Sequence, residues 1–482
     1  MSWVTKTATE QLLALREHRI SATELLELVI ERGQEISDTI NPFALELYEQ
    51  ARGKARLADK KLEQGRGGAL CGLPITVKDS QWLAGVRCAN GSPSLSDFYP
   101  SETCTAIQML EKEDAVIFAK TTCPEFCLSG TGTSPLYGAT LNPWNTLRTP
   151  GGSSAGAAAA VAAGAGSLAL GSDGGGSIRI PSAFCGIVGF KPGYGIVTRR
   201  PGFTTWDSLV AYGPMCRSVA DAKLMFSVIA NKDAELIPLE DDKSSATKVI
   251  VSEDLGFAPV NPDIRTLFRN TINTIRDAGI KIVEDNPGLP SSVVTWATIA
   301  TRDMWQHKGN PKSEKYSDPG ETGEYASSFI AFGNSFSEEE VKDADDYRRA
   351  VHDAYAAMFK KHRCQLLITP TLGCEAFDSQ LMHPPRIENT NIRLPWLDWA
   401  GFLYDANLVG MPACTIPIGL GAEGMPVGSQ IVGAPGCDLH VLKVASEIEA
   451  MMNWNHRVTP NYDDQSIAVS DEQSRCTGTF TG

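Results

Sequence analysis

The chain has 482 residues, of which 42% are hydrophobic and 21% charged, enough apolar material for a packed core and too ordinary a balance for wholesale disorder. A formal net charge of −14 repels phosphate backbones and argues against nucleic-acid binding as the main activity. The longest weakly apolar stretch, Ala155 to Gly171, is built of Ala and Gly and is too short and mild to span a bilayer; the N-terminus has no basic region followed by an apolar run, so no signal peptide is expected.

In chain order, residues 7 to 34 read as helix, with Ser21-Ala22-Thr23-Glu24 in the form of a capping box that restarts it. A charged helix covers 50 to 65. Gly72-Leu73-Pro74 then introduces the strand Ile75-Thr76-Val77, which ends at Lys78-Asp79. Residues 103 to 113 form an amphipathic helix and Ala115 to Ala119 a strand. This alternation predicts an α/β architecture with a largely buried sheet. Residues 130 to 195 are crowded with Gly, Ser, Pro and Ala. Helix returns at 218 to 231 and strand at 247 to 252. The stretch from 290 to 345 is polar, broken by Gly and Pro, and carries Glu338-Glu339-Glu340; a lid and a surface insertion fit it equally. Strands follow at Leu366 to Thr369 and Ala413 to Ile418, then a helix over 438 to 452 and a polar tail after Pro460.

The twelve cysteines are scattered singly, as buried thiols of a reducing compartment would be. Cys123 and Cys127 are the one close pair, and no second pair accompanies them at zinc-ligand spacing.

Chemistry is expected in the Gly/Ser-rich segment. Ser153 stands in Gly151-Gly152-Ser153-Ser154-Ala155-Gly156, and Ser177 in Asp173-Gly174-Gly175-Gly176-Ser177-Ile178-Arg179. Glycines ahead of a serine let the backbone turn tightly and leave N–H groups for a developing oxyanion. A phosphate-binding loop would need a Gly-Lys-Ser/Thr ending, which is absent. A dinucleotide fingerprint at Gly164 to Ala169 would follow an Ala-rich helix rather than a strand. Gly152-Ser153-Ser154-Ala155-Gly156 satisfies G-x-S-x-G and would make Ser154 a nucleophile. A turn-rich loop, not a strand, precedes it, and His383, His440 and His456 have no distinctive surroundings.

The block from Gly151 to Pro192, GGSSAGAAAAVAAGAGSLALGSDGGGSIRIPSAFCGIVGFKP, resembles the signature region of the amidase signature family. So do Leu73-Pro74-Ile75-Thr76-Val77-Lys78-Asp79, Asn142 to Asn145, Gly213 to Asp221 and Gly424 to Gly433. The resemblance covers about residues 5 to 230 and 365 to 460 and leaves the middle weakly matched. It implies a large mixed, twisted β-sheet sandwiched between α-helices, in a single domain over 1–482. That domain would have its signature core at about 65–230, a variable substrate-shaping segment at about 290–345 and a polar tail at 461–482.

The family's Ser–cis-Ser–Lys triad, carried over by motif, makes Ser177 the nucleophile, Ser153 the bridging serine and Lys78 the general base. Gly174, Gly175, Gly176 and Ser177 would supply the oxyanion N–H groups, and Cys127 part of the acyl-pocket wall. Gly174 departs from the Thr, Ile or Ala common there, and Ala155 from a common Gly. A serine hydroxyl needs a base within reach, and a lysine serves only in its neutral form, which burial favours. Asp173 and Arg179 look structural, a charge pair holding the loop. The aromatics Trp396, Trp399, Phe402 and Tyr404 belong either to the substrate pocket or to the core.

The resemblance thus implies hydrolysis of a C–N bond in a carboxamide-like substrate (amide, anilide, or carbamate/urethane) through an acyl-enzyme, with no metal and no organic cofactor. With the cysteines, charge and hydropathy above, the expectation is a cytoplasmic monomer or homodimer with a small-molecule substrate and neither nucleic acid nor membrane as partner. The alternative is a glutaminase subunit of a tRNA-dependent amidotransferase. That role needs an arginine and an aspartate for the charged ends of glutamine; between 330 and 365 the chain has Asp345-Asp346-Tyr347-Arg348-Arg349-Ala350 in place of the segment such subunits carry.

Overall fold

A computed structural model describes residues 3–230, 248–315, 318, 320–392, 398–452 and 454. The helical stretch at the N-terminus is two helices, α1 (Ala8–Arg16) and α2 (Ala22–Ile40). Each opens with a reciprocal capping box: the Thr7 and Ser21 hydroxyls accept from the N–H of Glu10 and Glu24, whose carboxylates accept in return from the N–H of Thr7 and Ser21. Asn41, in the left-handed conformation at φ 47°, ends α2.

The chain continues through β1 (Phe43–Glu46), α3 (Tyr48–Glu63), β2 (Pro74–Lys78), α4 (Thr105–Lys112) and β3 (Val116–Thr121). A small ladder joins β4 (Thr133–Ser134) to β5 (Gly138–Ala139). The Gly/Ser-rich region folds into α5 (Ala155–Ala162), β6 (Leu168–Asp173), α6 (Arg179–Cys185) and β7 (Val188–Lys191), followed by β8 (Ala211–Cys216) and α7 (Val219–Ile229). Beyond it come β9 (Lys248–Val251), α8 (Pro262–Asp277) and β10 (Lys281–Glu284). Next are α9 (Val293–Met304), α10 (Glu324–Phe332), α11 (Glu338–His362) and β11 (Leu366–Pro370). A second short ladder, β12 (Arg386–Ile387) with β13 (Thr390–Asn391), precedes α12 (Tyr404–Val409), β14 (Ala413–Leu420), β15 (Pro426–Gly433) and α13 (Asp438–Met451).

Eleven strands form one mixed sheet in the order β1-β3-β2-β6-β8-β7-β14-β15-β11-β9-β10. β2 runs parallel to both β3 and β6, whereas the β6–β8–β7–β14–β15–β11 run is antiparallel throughout. Every residue of β2, β3, β6, β7 and β8 is buried, as helices on both faces require. This is the mixed α/β sandwich expected from the sequence. The Ala-rich stretch at 155 is explained here too. All eight residues of α5 are buried, so a helix with no polar face runs through the interior and its small side chains admit close neighbours.

The polar stretch 290–345 is mostly helical: α9, α10 and the start of α11 lie within it. Its acidic run is the first turn of α11, where carboxylates favour the positive end of the helix and Glu340 completes a capping box with Ser337. Tail residues 461–482 and Trp396 lie outside the described residues, as does Thr247 at the start of the expected strand.

Candidate active site

Adjacent parallel strands β2 and β6 end on the same side of the sheet, where open α/β sheets present their ligands. Lys78 closes β2; Ser172 and Asp173 close β6. The Lys78 side chain is fully buried, and its Nζ donates to Ser153 Oγ at 2.7 Å and to Ser172 Oγ at 3.0 Å. Asp79 does not pair with it. Asp79 faces Lys120 at 3.4 Å and accepts from the Tyr137 hydroxyl at 2.9 Å. Gln81 ties the two strand ends together, accepting from the Lys78 N–H at 3.0 Å and donating to the Gly171 carbonyl at 3.1 Å. Sequence reasoning missed Ser172. Its signal was a hydroxyl at the end of an otherwise apolar strand, Leu168-Ala169-Leu170-Gly171.

Ser153 lies in the turn before α5, buried, with a cis peptide bond between Gly152 and Ser153. Ser154, also buried, is committed elsewhere. Its hydroxyl donates to the Ser172 carbonyl at 3.2 Å and accepts from the Ser172 N–H at 3.3 Å, while its own N–H donates to the Ser177 carbonyl at 3.1 Å. Ser177, at 9% exposure, retains some access where Ser153 and Ser154 have none, and its hydroxyl makes no hydrogen bond among the described residues. The Lys78–Ser153 link is therefore formed, while the Ser153–Ser177 link is open. Such contacts are commonly long without substrate.

The turn carrying Ser177 is fixed by a buried ion pair. Arg179 Nε donates to Asp173 Oδ2 at 3.0 Å and Nη2 to Oδ1 at 3.1 Å, and both side chains are fully buried. The remaining guanidinium donors reach Gln430 Oε1 at 3.1 Å, the Leu403 carbonyl at 3.0 Å and Asn407 Oδ1 at 2.6 Å. Burial alone would raise the Asp173 pKa. The Arg179 charge overrides it and holds the carboxyl well below the usual carboxylate range. Asp173 Oδ1 also accepts the Gly176 N–H at 2.7 Å. That corrects one of the four expected oxyanion donors, since a backbone N–H aimed at a carboxylate within its own turn is not free for a ligand. The N–H groups of Gly174, Gly175 and Ser177 have no acceptor among the described residues.

Ser177 and Gly175 border a narrow cavity of about 10 Å³. Its walls include Cys127, Leu128, Ile180, Trp206, Trp296 and Tyr404 and no acidic or basic side chain, although the hydrogen bond with Cys123 lowers the pKa of the Cys127 thiol. Cys127 is thus in the wall, delivered by two successive left-handed residues, Phe126 at φ 49° and Cys127 at φ 62°. Its thiol donates to Asn90 Oδ1 at 3.3 Å. Of the aromatics singled out, Tyr404 lines the cavity. Trp399 stacks on Phe184 in the core, and Phe402 is buried away from the cavity. Trp206, Trp296 and Ile180 were not legible as wall residues, because nothing local distinguishes them. No histidine lines the cavity. Among the described residues no group of three or more His, Cys, Asp or Glu is gathered as metal ligands would be, and no helix is long and apolar enough to cross a membrane.

With this geometry in hand, similarity to known proteins is informative. The family model described as Amidase matches residues 24–442. An acylamidase of Rhodococcus erythropolis is 30% identical over 469 residues, spanning 93% of this chain and 95% of its own. A glutamyl-tRNA(Gln) amidotransferase subunit from Neisseria meningitidis serogroup C (strain 053442) is 29% identical over 474 residues, spanning 92% and 96%. The crystal structure of a bacterial aryl acylamidase of the amidase signature enzymes superposes with a TM-score of 0.85 at 27% identity, covering 94% of this chain and 97% of that one.

Proposed function

This chain belongs to the amidase signature family and is a hydrolase of carbon–nitrogen bonds in amides; from that premise we propose that its substrate is an amide or anilide with an uncharged, largely apolar acyl group, cleaved through an acyl-enzyme on Ser177. The observation that carries the substrate class is the cavity beside Ser177, where Leu128, Ile180, Trp206, Trp296 and Tyr404 form most of the wall and no acidic or basic side chain takes part. Glutamine carries a carboxylate and an ammonium, and stripping either of water without a partner is costly. The glutaminase reading, despite comparable identity to the amidotransferase relative, therefore lacks the groups it requires at this cavity.

In this mechanism the Ser177 hydroxyl attacks the carbonyl carbon. Its proton passes to Ser153, and the Ser153 proton to Lys78. The N–H groups of Gly174, Gly175 and Ser177 receive the developing oxyanion. As the C–N bond breaks, the relay returns a proton from Lys78 through Ser153 to the departing amine. Water enters by the same relay in reverse and releases the acid. Supporting this reading are the 2.7 Å Lys78–Ser153 contact, the unengaged Ser177 hydroxyl and the prior commitment of Ser154 to the β6 backbone.

The test is a panel of anilides, aliphatic amides, carbamates and glutamine, run on wild type, Ser177→Ala and Ser154→Ala. Hydrolysis of apolar amides or anilides in preference to glutamine is expected. It should be abolished by Ser177→Ala and substantially kept by Ser154→Ala. Activity above a few per cent in Ser177→Ala refutes the nucleophile, and a preference for glutamine refutes the substrate class.

A further inference from the structure

Trp296 is fully buried in the first turns of α9, and its indole N–H donates to the Gly174 carbonyl at 2.8 Å. The Gly174 carbonyl and the Gly175 N–H belong to one planar trans peptide and point in opposite directions. Holding the oxygen therefore fixes the direction of the hydrogen. That N–H has no acceptor among the described residues, and Gly175 borders the cavity beside Ser177. We propose that Trp296 is the positioning residue of the oxyanion site, pinning the Gly174–Gly175 peptide so that its N–H meets the substrate carbonyl oxygen. The proposal rests on the reading of Ser177 as nucleophile.

Packing makes the indole a firm anchor. A Cβ on Gly175 would lie 2.5 Å from Trp296 Cζ2, so the ring rests directly on that backbone. Trp206 meets it edge-on at 5.6 Å between ring centroids, and Tyr404 packs at 4.8 Å. Trp206 is itself tied to α9 by its indole N–H, which donates to the Ala300 carbonyl at 2.9 Å. At the head of α9 the Ser292 hydroxyl donates to the buried Asp405 carboxyl, which also accepts from the Tyr355 hydroxyl at 2.8 Å. One edge of Trp296 thus holds the peptide while the same side chain forms cavity wall. An occupant that fits badly against the ring would tilt the donor, which couples acyl-group fit to turnover and not to binding alone. α9 lies more than a hundred residues beyond the block Gly151 to Pro192, so the oxyanion peptide is braced from outside that block.

Trp296→Phe keeps an aromatic ring and removes the N–H. Loss of one well-placed oxyanion donor typically costs about 10²- to 10³-fold in kcat. Misalignment of a donor that is still present is expected to cost about 10- to 100-fold, with KM changed less than about 3-fold. A trifluoromethyl ketone matching the acyl group, which mimics the tetrahedral state, should weaken by the same factor as kcat, while the corresponding unreactive methyl ketone should bind as before. An unchanged kcat overturns the proposal. So does equal weakening of both ketones, which is the mark of a packing role. If Trp296→Phe fails to fold, benzothienylalanine at position 296 preserves the indole shape without its N–H and must give the same kcat loss. Ser177→Ala, run alongside, separates the two readings. If it remains active, the nucleophile assignment falls; if it is dead while the position-296 variants turn over normally, only the role of Trp296 falls.

Discussion

Lys78 has two hydroxyl partners and no carboxylate, an unusual situation for a fully buried lysine. Two other buried cations are matched by anions, Lys120 by Asp79 and Arg179 by Asp173, whereas Lys191 donates to the Pro192 carbonyl. The Lys78 Nζ lies within hydrogen-bond reach of Ser153, the serine whose proton it would take in the proposed relay. Lys78→Ala should therefore lose about 10²- to 10⁴-fold in kcat/KM on an amide, the usual worth of a general base. The loss on a nitrophenyl ester of the same acyl group should be clearly smaller, because an amine must be protonated as it departs and a nitrophenolate leaves unaided. Comparing both substrates in the one variant tests the role. Equal losses would confine Lys78 to activating the nucleophile, and little loss on either would remove it from the mechanism. The positions of Lys78, Ser153 and Ser177 were legible because the motifs around them are long. Ser172 and the Gly176 commitment were not, because each depends on which way a backbone or hydroxyl turns inside a loop.

At the scale of elements, α5 shows what the run of small residues is for. A Cβ on Gly156 would fall 2.1 Å from the Pro42 carbonyl oxygen and 2.4 Å from Thr122 Oγ1, so the helix packs directly against backbone that cannot swing aside. Gly156→Ala gains up to about 1 kcal/mol of helix propensity and should still destabilise the protein by about 1–3 kcal/mol through overpacking. It should also lower activity, because Ser153 leads into the same helix. Gly53, in α3, has nothing within 4 Å of the corresponding position, and Gly53→Ala should be neutral or stabilising. Melting temperatures of the pair check this, and similar shifts in both would refute it. β2, β3, β9, β11 and β14 were legible as strands and α1, α2, α3, α4, α7 and α13 as helices, whereas β6, β7 and β8 were hidden in the Gly/Ser-rich region and its flank. α9 and α10, within 290–345, were not legible, and neither was α11, which begins there, although Ser337 and Glu340 form a capping box at its start. α9 buries much of its surface among aromatics and opens without a side-chain cap, and α10 follows Gly and Pro breaks; neither shows a conventional signal.

For the molecule as a whole, buried carboxyls pull stability in two directions with pH. Burial raises Asp221, Asp405 and Asp438, although hydrogen bonds oppose the shift in each. Their folded state takes up protons at higher pH than the unfolded chain does, so stability rises as pH falls from their raised values to about 4. Asp173 is the reverse. Its folded pKa is held below the unfolded one, so its contribution is complete above about pH 4 and is lost as pH falls further toward the folded value. Denaturant titrations from pH 8 to pH 3 should therefore show a gain on mild acidification and a loss below about pH 4. A steady decline from neutrality downward would contradict the assignment of these groups.

The ion pair behind Ser177 also has an order in time. A ribosome that has made the first 230 residues has made Lys78, Ser153, Ser177, Asp173 and Arg179. The acceptors that complete the Arg179 guanidinium stand 224, 228 and 251 residues further on, at Leu403, Asn407 and Gln430. Until β15 has emerged and taken its place in the sheet, the Asp173–Arg179 pair has its own partners but the guanidinium lacks the distant acceptors it has in the finished fold. A growing chain therefore holds Lys78, Ser153 and Ser177 in its sequence long before it holds the strand that completes the bracing around Ser177.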